Sequence, residues 1–492
     1  MSLLRLLQSA PSDDVRPVML YRGVQLSRSE FFLRIQQAAA TWHQLGLQPG
    51  QRVGLVLSNP AIFLTSWLGV VHAGGVGTAV KWPWLAQADA TPLDNLHLAW
   101  LVHDRRAMGS WPYWGAYTPL LVADLFSNTS LSASVLEKDD PLSAEAPCLL
   151  AQSSGTTGQP KTAVISQSAV KAAVQMGEQF LPDDRVMIFT DMTMYWTMLT
   201  ALRVIRAGGT AVLQPSHLPP VELLQLMKET STNVLVLSAD AASKIASYLN
   251  DFGDTAGPIR LSRVMVSGGQ IAPFAVRTLH EHWDAEVIIL YGSTELGPMA
   301  AWRLSEMSGA SEEHLLSPFP GVNVQVVDAM NQTLGIGESG YLRLNSPALY
   351  AGYLDETGQV AARASDWFYP GDMARFTMES KIQLLGRTDH VLNLGGRKID
   401  PESIEWTIRR HPHVADAAVV MTAMGPAQVN VLVGLLVLKP LGDLSVVKAF
   451  CKESLPDTEN PEFWSVVSEL PRNVAGKLQR QKLASIVIVD RV

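Results

Sequence analysis

Cysteine is almost absent from this chain. Among its 492 residues there are two cysteines, Cys148 and Cys451, which lie far apart in the sequence. So few thiols exclude a disulfide-stabilised fold and argue against a metal site built on thiolates. They are typical of a reducing compartment, and we therefore expect a cytoplasmic protein.

Cationic side chains are also scarce. Lys and Arg together number 38, against 46 Asp and Glu, so the formal net charge is −8. Nucleic-acid binding requires dense cationic patches that neutralise phosphates, and this composition argues against it. A local pocket for a small anion remains compatible with the charge balance.

A long, uninterrupted apolar segment is the third feature that the chain lacks. The most apolar window, residues 60–80, contains no Asp, Glu, Lys or Arg, but Gly74 and Gly75 divide it. A spanning helix needs about 20 apolar residues, and a glycine pair marks a break in regular structure. The window therefore predicts a buried helix followed by a core strand, without stable membrane insertion. The first 14 residues also lack the apolar region of a secretory signal.

The residues that are present predict a large α/β protein. Apolar residues make up 47% of the chain and charged residues 17%, as in compact globular proteins. A single core stops growing at about 250–300 residues, so we expect at least two domains. From about residue 50 to 300, short apolar runs alternate with amphipathic stretches, which predicts parallel strands covered by helices. The predicted parallel strands lie at 51–58, 210–214, 232–238, 261–268 and 285–292, and the helices between them include 220–231 and 273–283.

The hydrophobic pattern of the sequence changes twice after about residue 300. At about 318–386, alternation of period two and glycine-rich turns predict a small β subdomain. Beyond it, the pattern predicts a helix at 400–414, strands at 417–421 and 430–438, and a helix at 444–455. We therefore predict a large N-terminal domain at 1–388, made of layered α/β subdomains and the β subdomain. A smaller α+β domain is expected at 389–492.

A loop rich in small residues, SSGTTGQPK, spans residues 153–161. Its glycines allow successive N–H groups to point at one anion, its hydroxyls add donors, and its lysine adds a cation. A P-loop requires glycine directly before the lysine, whereas Pro160 stands there. A plain surface connection is the alternative for such a loop taken alone. The residues expected to hold a polyphosphate are Ser153, Ser154, Gly155, Thr156, Thr157, Gly158 and Lys161.

Polar side chains also follow the apolar strand at 287–290. Tyr291, Thr294 and Glu295 come directly after it, and ligands bind at the carboxyl ends of strands in α/β sheets. An aromatic face can stack on a base, a hydroxyl can bind phosphate, and a carboxylate can hold Mg²⁺. Three later glycine-containing segments add Asp372 in YPGD, Arg387 in GRTDH and Lys477 in NVAGKLQ.

The order and content of these five segments resemble the adenylate-forming superfamily. That superfamily includes acyl- and aryl-CoA synthetases, peptide-synthetase adenylation domains and firefly-type luciferases. The resemblance covers nearly the whole chain, from the strand at 51–58 to the Lys477 loop. It implies ATP-dependent activation of a carboxylic acid to an acyl-adenylate, with Mg²⁺ as cofactor. A thiol of CoA or of a carrier protein's phosphopantetheine arm then takes the acyl group and AMP leaves.

The resemblance also implies roles for single residues. The 153–161 loop would hold the β- and γ-phosphates, Thr294 would contact the α-phosphate, and Glu295 would ligate Mg²⁺. Lys477 would bridge the substrate carboxylate and the ribose–phosphate edge. Asp389 matches the hinge about which the C-terminal domain swings, presenting first Lys477 and then the 393–398 loop.

Around the nucleoside, the resemblance implies that Tyr291, followed by Gly292, flanks the adenine. The turn that contains Gly268, Gly269 and Gln270 would lie opposite, and Asp372 would bind both ribose hydroxyls with Arg387 nearby. Two positions depart from the pattern of the superfamily. Pro370 stands where relatives usually have Thr or Ser, and His390 stands where many have a second acid.

The acid pocket is predicted from the segment 190–200 together with the segments around 267–273 and 291–301. The position at which amino-acid activators carry an aspartate falls near Met194 or Tyr195, and neither is a carboxylate. A buried ammonium without a partner is very costly, which disfavours an α-amino acid; Asp191 as a displaced partner is the alternative. Met194, Tyr195 and Trp196, with Gly268, predict an apolar slot for an aromatic or medium-chain acid, although some of these side chains will pack against the sheet.

The identity of the thiol stays open at this point. Because the sequence ends soon after Lys477, we expect the acceptor, free CoA or a separate carrier protein, to be supplied in trans. One alternative is a stand-alone adenylation enzyme that loads an amino acid onto such a carrier. Another is a catalytically silent nucleotide-binding interaction protein, against which the intact Lys477, Glu295 and Asp372 argue. No segment indicates the oxygen-handling site of a luciferase-like oxygenase.

Overall fold

The computed structural model of the chain has an α/β fold built from several sheets, which confirms the predicted fold class. The structure describes most of the chain. The described residues are 2–9, 16–80, 91–104, 117–127, 143–153, 161–214, 218–269, 271, 273–306, 314–388, 392–394, 397–399, 401–424, 429–456, 459–472 and 478–487.

A nine-stranded sheet forms the largest layer. Six neighbouring strands run parallel, and three strands at its edges pair antiparallel. Strand Val234–Ser238 has parallel neighbours on both sides, and Val234 to Leu237 are fully buried. A parallel strand covered on both faces is expected to be a continuous apolar run, as it is here. In spatial order the strands are Ser317–Pro318, Gly297–Arg303, Glu286–Ser293, Arg263–Ser267, Val234–Ser238, Arg185–Phe189, Thr210–Leu213, Pro17–Tyr21 and Val24–Ser27.

An eight-stranded sheet forms the second layer. Pro147–Ser153 and Lys161–Ser166 pair antiparallel, so the hydroxyl-rich loop connects two adjacent strands. Gly352–Leu354, far along the chain, adds antiparallel to Lys161–Ser166. The spatial order is Val360–Ala362, Gly352–Leu354, Lys161–Ser166, Pro147–Ser153, Val76–Ala79, Arg52–Val56, Trp100–His103 and Thr118–Leu121.

The helices begin where the sequence supplies capping residues. Ser27 and Glu30 form a reciprocal capping box at the start of Arg28–Gln44, which satisfies two backbone donors. Asn59 accepts from two backbone N–H groups at the start of Pro60–His72. That helix and the strand Val76–Ala79 confirm the buried helix and core strand predicted for residues 60–80. The α-helices are Leu3–Gln8, Arg28–Gln44, Pro60–His72, Thr91–Asp94, Val122–Leu125, Gln167–Gln175, Tyr195–Ala207, Pro220–Glu229, Ala239–Phe252, Pro273–Trp283, Pro401–Arg409 and Leu444–Ser454.

A four-stranded antiparallel sheet lies within residues 323–387, where the sequence predicts a β subdomain. Its spatial order follows the chain order. Burial alternates along its second strand, so that one face meets the core, as expected for an antiparallel sheet with one solvated face. The strands are Asn323–Val327, Gly340–Asn345, Asp372–Phe376 and Ile382–Arg387.

The C-terminal part is a small α+β unit. A three-stranded sheet and two helices enclose a core that includes Ile404, Ile408, Leu432 and Val447. The boundary predicted at 388/389 stays a prediction, because residues 389–391 lie outside the described ranges. The strands of this part are Leu392–Leu394, Arg397–Ile399, Val414–Met424, Val429–Leu438 and Phe463–Val466, and its short 3₁₀ helices are Arg480–Lys482 and Ala484–Ile486. A further short 3₁₀ helix, Leu304–Glu306, lies in the N-terminal part.

A helix that spans a bilayer must be long and continuously apolar. Within the described ranges, no helix is long and apolar enough to cross a membrane.

Candidate active site

The hydroxyl-rich loop can be located by its two ends. Its flanking strands pair Ser153 with Lys161 across the hairpin. Lys161 is exposed at the start of its strand, and its amine lies 5.3 Å from the centre of the Tyr353 ring. The side chain of Ser153 and the predicted residues Ser154, Gly155, Thr156, Thr157 and Gly158 lie outside the described residues.

The turn at 294–296 presents the predicted magnesium ligand. It follows strand Glu286–Ser293, and Glu295 is 7% exposed, whereas Thr294 is partly exposed. The Tyr353 hydroxyl donates to Glu295 Oε1 at 2.8 Å, and the Tyr350 N–H donates to the Glu295 carbonyl at 2.8 Å. Both the carboxylate and the backbone of this residue are therefore fixed.

A glycine allows that turn to close. Gly292 lies at a bulge between strands, and a Cβ there would stand 2.6 Å from the carbonyl oxygen of Gly297. Any larger residue would force the two strands apart. The close approach explains why a glycine follows Tyr291.

Tyr291, Asp372 and Arg387 form a second cluster. The Tyr291 hydroxyl donates to Asp372 Oδ2, and Arg387 Nη1 lies 3.4 Å from Asp372 Oδ1. Asp372 and Arg387 are paired residues of the four-stranded sheet. The structure thus brings together three side chains that the sequence assigns to the nucleoside.

The turn before Asp372 is shaped by Gly371 and Pro370. Gly371 has a φ of +85°, which favours glycine, and a Cβ there would lie 2.8 Å from Arg387 Nη2. The Pro370 carbonyl accepts from Arg387 Nη1 at 3.0 Å, and Thr388 donates its hydroxyl to the Gly371 carbonyl at 2.9 Å. Pro370 stands where relatives usually have Thr or Ser, and its backbone carbonyl helps to orient Arg387.

Two tyrosines at the site keep their protons. Burial raises the pKa of Tyr291 well above its usual value, and the negative charge of Asp372 raises that pKa further. Burial, followed by the charge of Glu295, raises the pKa of Tyr353. Each phenol therefore acts as a hydrogen-bond donor to its carboxylate throughout the physiological range.

The glycine turn after strand Arg263–Ser267 lies beside the tyrosine strand. Ser267 is in register with Leu290, so Gly268 and Gly269 follow at the same sheet edge as Tyr291. Gly268 has a φ of +85°. Gln270 lies outside the described residues.

The predicted acid pocket stays a prediction, although part of its segment borders a small cavity. A small cavity is lined by Tyr195 and Met198, together with Gln152, Thr193 and apolar residues of the eight-stranded sheet. Tyr195 is buried, and its hydroxyl has no hydrogen-bond partner among the described residues. The cavity measures only about 10 Å³, no more than a single water needs, so it is a packing void that is too small to admit a carboxylic acid.

The other predicted pocket residues lie elsewhere on the described surface. Trp196 packs against the large hydrophobic core, and Met194 precedes the first turn of helix Tyr195–Ala207. Neither residue, nor Gly268, lines the cavity as described. Asp191 accepts from the N–H and the hydroxyl of Thr193, at 2.8 and 2.9 Å, so its carboxylate serves a local turn.

The catalytic lysine and the hinge predicted from the sequence, Lys477 and Asp389, lie outside the described residues. The chain on either side of 473–477 is described, and Arg472 pairs with Leu478 in an antiparallel bridge. Arg472 lies 2.6 Å from Asp416, and Arg480 lies 2.7 Å from the buried Glu405. These ion pairs anchor both ends of the Lys477 segment to the C-terminal part.

Sequence reasoning missed Tyr353, Arg480 and Glu405. Tyr353 reaches the site because Gly352–Leu354 pairs with Lys161–Ser166. That pairing joins segments about 190 positions apart in the chain, and no local pattern signals it. For Glu405, the available signal was its place on the apolar face of the amphipathic helix Pro401–Arg409. A carboxylate that is buried there is expected to have a charged partner.

The site suits a magnesium ion that is held jointly with a nucleotide. In the part of the chain that is described, no group of three or more metal-ligating side chains occurs. Mg²⁺ is usually bound by one or two carboxylates together with substrate phosphates. A single fixed carboxylate, Glu295, fits that mode of binding.

Comparisons with known proteins identify the family of the chain. The sequence model of the family described as AMP-binding enzyme matches residues 8–354, and that of the AMP-binding enzyme C-terminal domain matches residues 403–477. Phosphinothricin tripeptide synthetase PhsC of Streptomyces viridochromogenes is 27% identical over 89% of this chain and 41% of its own length. The medium-chain fatty-acid–CoA ligase of Escherichia coli is 26% identical over 73% of this chain and 63% of its own length.

A solved structure extends the similarity to the whole fold. The benzoate CoA ligase of Burkholderia xenovorans LB400 superposes with a TM-score of 0.85 at 17% identity, covering 98% of this chain and 99% of that one. By sequence, the chain spans less than two thirds of the length of either curated relative. Because the family model covers more than half of the chain, the chain belongs to the AMP-binding enzyme family, and its predicted membership of the adenylate-forming superfamily is confirmed.

Proposed function

We propose that this protein is an AMP-forming acid–thiol ligase. The observation that carries the proposal is that one segment, 291–295, connects two clusters of the kind that MgATP requires. At one end, Tyr291 binds Asp372 beside Arg387. At the other, Glu295 is joined through Tyr353 to Lys161. A nucleoside held at the first cluster directs its phosphates toward the second.

In the first half-reaction, an oxygen of the substrate carboxylate attacks the α-phosphorus of ATP. The bond between that phosphorus and the bridging oxygen to the β-phosphate breaks, and pyrophosphate leaves. The 153–161 loop holds the β- and γ-phosphates, Thr294 contacts the α-phosphate, and Lys477 stabilises the charge that develops. Such catalysis depends mainly on positioning and electrostatic stabilisation.

In the second half-reaction, a thiolate attacks the acyl carbon of the adenylate. The bond from that carbon to the phosphate oxygen breaks, and AMP leaves as the thioester forms. The hinge at Asp389 allows the C-terminal part to present Lys477 for the first half and the 393–398 loop for the second. Mg²⁺, held by Glu295, neutralises phosphate charge when bound.

For the nucleoside, we propose that Asp372 accepts from both ribose hydroxyls, with Arg387 beside it. Tyr291, with Gly292, flanks the adenine, and the turn of Gly268, Gly269 and Gln270 faces it. The hydrogen bond from Tyr291 supports this assignment, because it fixes one carboxylate oxygen of Asp372 beside the residue proposed to flank the adenine.

The acid is proposed to be aromatic or of medium chain length. Tyr195 and Met198 are buried among apolar side chains, which supports this choice. The engagement of Asp191 by Thr193 counts against an ammonium partner at that position. The similarity to PhsC, a peptide synthetase by name, favours the alternative of an amino acid that is loaded onto a carrier protein.

The acceptor is proposed to be CoA or a carrier-protein phosphopantetheine, since both a CoA ligase and a peptide synthetase are among the relatives. A reducing compartment, the cytoplasm, is supported by Cys148 and Cys451, which are both buried free thiols.

Carboxylate-dependent exchange of labelled pyrophosphate into ATP tests the first half-reaction. The panel contains aryl acids, medium-chain acids and amino acids, and we expect exchange with one of the first two groups. Exchange with an amino acid alone supports the alternative, and no exchange with any acid contradicts the enzyme proposal. Repeating the assay with CoA and with phosphopantetheinylated carrier proteins identifies the acceptor by thioester formation.

A further inference from the structure

Tyr353 connects the two large sheets at the site. Its strand, Gly352–Leu354, belongs to the eight-stranded sheet, in which Tyr353 is in register with Ala163. Glu295 lies in a turn that follows a strand of the nine-stranded sheet. The Tyr353 hydroxyl nevertheless donates to Glu295 Oε1 at 2.8 Å.

The same side chain contacts the end of the hydroxyl-rich loop. The Lys161 amine lies 5.3 Å from the centre of the Tyr353 ring, within the range of a cation–π interaction. One tyrosine therefore holds a carboxylate by its hydroxyl and an ammonium by its ring. The Glu295 carboxylate and the Lys161 ammonium come from different sheets, and Tyr353 contacts both of them.

The surroundings hold Tyr353 in one orientation. The ring of Tyr350 packs against it with the ring centres 4.8 Å apart, and Phe368 packs edge-on against Tyr350 at 5.8 Å. The Tyr350 N–H donates to the Glu295 carbonyl, and the Ala351 N–H donates to the Val164 carbonyl, both at 2.8 Å. The segment 350–353 is thus bonded to both sheets by its backbone as well as its side chains.

A buried carboxylate needs such a partner. Glu295 is 7% exposed, and an unpaired carboxylate in that position is strongly destabilised. Tyr353 binds one oxygen with a neutral donor, which satisfies the group without neutralising its charge. The negative charge therefore stays available to a cation.

We propose that Tyr353 is a positioning residue for MgATP, which orients the Glu295 carboxylate toward Mg²⁺ and the Lys161 ammonium toward the phosphates. This inference rests on the proposed function, because it needs the nucleotide to bind between these two side chains. A tyrosine that serves packing alone would stabilise the fold without affecting the magnesium dependence of ATP binding.

The test compares Tyr353→Phe, which keeps the ring, with Tyr353→Leu, which removes it. Tyr341→Phe is the matched control, because Tyr341 is 36% exposed on the four-stranded sheet. Binding of ATP and of AMP to the full chain is measured by isothermal titration calorimetry over a series of Mg²⁺ concentrations. Melting temperatures show whether each variant is folded.

For Tyr353→Phe we expect the Mg²⁺ concentration that half-saturates ATP binding to rise about tenfold, as for the loss of a hydrogen bond to a charged group. AMP affinity should stay at the wild-type value, because AMP lacks the phosphates that share the cation. Tyr353→Leu should in addition weaken ATP binding several-fold even at saturating Mg²⁺, through the loss of the contact between the ring and the Lys161 ammonium. Tyr341→Phe should match the wild type.

Two results overturn the inference while leaving the proposed function intact. One is wild-type magnesium dependence in folded Tyr353→Phe, and the other is an equal loss of ATP and AMP affinity, which indicates a purely structural role. If the wild-type chain itself binds ATP without any dependence on Mg²⁺, the proposed function fails together with the inference.

Discussion

Arg480 binds both carboxylate oxygens of Glu405. Nη1 lies 2.7 Å from Oε1 and Nη2 lies 2.8 Å from Oε2. Glu405, on helix Pro401–Arg409, is 1% exposed, and Oε1 also accepts from the Val419 N–H at 2.8 Å. A bidentate pair of this kind fixes direction as well as distance. The Arg480–Glu405 pair holds the segment after Lys477 against the helix Pro401–Arg409, which packs in the core of the C-terminal part.

Breaking this pair should destabilise the C-terminal part. Glu405→Gln removes the buried carboxylate that Arg480 binds through two hydrogen bonds, and we expect the free energy of unfolding to fall by about 3 kcal/mol. Denaturant unfolding measures the loss. Glu402→Gln is the control, since Glu402 lies 3.4 Å from the same guanidinium but its side chain is 20% exposed; it should cost less than about 1 kcal/mol. Equal losses for both variants would contradict the anchoring role.

Lys477→Ala should separate the two half-reactions. If the lysine stabilises charge only while the adenylate forms, pyrophosphate exchange should fall by about 10²–10³-fold, the usual effect of losing one such group. Thioester formation from pre-made adenylate should stay near the wild-type rate. Lys482→Ala removes an exposed lysine five positions further on and should leave both rates unchanged. An equal loss of both half-reactions in Lys477→Ala would argue against a swinging C-terminal domain.

The larger sheets could be predicted because their strands are continuous apolar runs. The predicted strand at 232–238 is observed as Val234–Ser238, and the one at 261–268 as Arg263–Ser267. Helices on both faces bury such strands completely, so composition alone reveals them. The position of Gly352–Leu354 could not be predicted, because three residues carry no periodicity and its partner strand lies far away in the sequence.

Within the site, the residue types were predictable but their contacts were not. The resemblance to the superfamily implies that Tyr291 flanks the adenine and that Asp372 binds the ribose. The sequence contains no signal that these two side chains are hydrogen-bonded to each other. In the pocket segment, Tyr195 is buried in the large hydrophobic core beside the small cavity, whereas its neighbour Trp196 is only partly buried and packs against the same core. Successive helical residues point in different directions, and the pocket cannot be assigned before the helix start is known.

Gly371→Ala should weaken ATP binding by displacing Arg387. An added Cβ would lie 2.8 Å from Arg387 Nη2, at a backbone φ of +85°. Gly337→Ala is the matched control, because its φ is +82° and nothing lies within 4 Å of the added Cβ. Both variants should lose about 1 kcal/mol of stability through backbone strain. Only Gly371→Ala should raise the KM for ATP in the exchange assay, and an equal KM in both variants would exclude Arg387 from nucleotide binding.

Tyr195→Phe should stabilise the protein, because it removes a buried hydroxyl that has no partner among the described residues. We expect the free energy of unfolding to rise by about 1 kcal/mol near neutral pH. The gain should increase in alkali. Burial raises the pKa of Tyr195 in the folded state, and the nearby Cys148 raises it further. The unfolded chain ionises at about pH 10, so the stability that depends on this neutral phenol is complete below that pH and is lost above it.

Denaturant unfolding of wild type and Tyr195→Phe at about pH 7 and about pH 11 checks this expectation. Wild type should lose more stability between the two conditions than the variant does. Tyr341→Phe, at a half-exposed position, should follow the wild type at both. A Tyr195→Phe protein that is less stable than wild type at neutral pH would mean that the hydroxyl is bonded in the folded state, for example to a residue outside the described ranges.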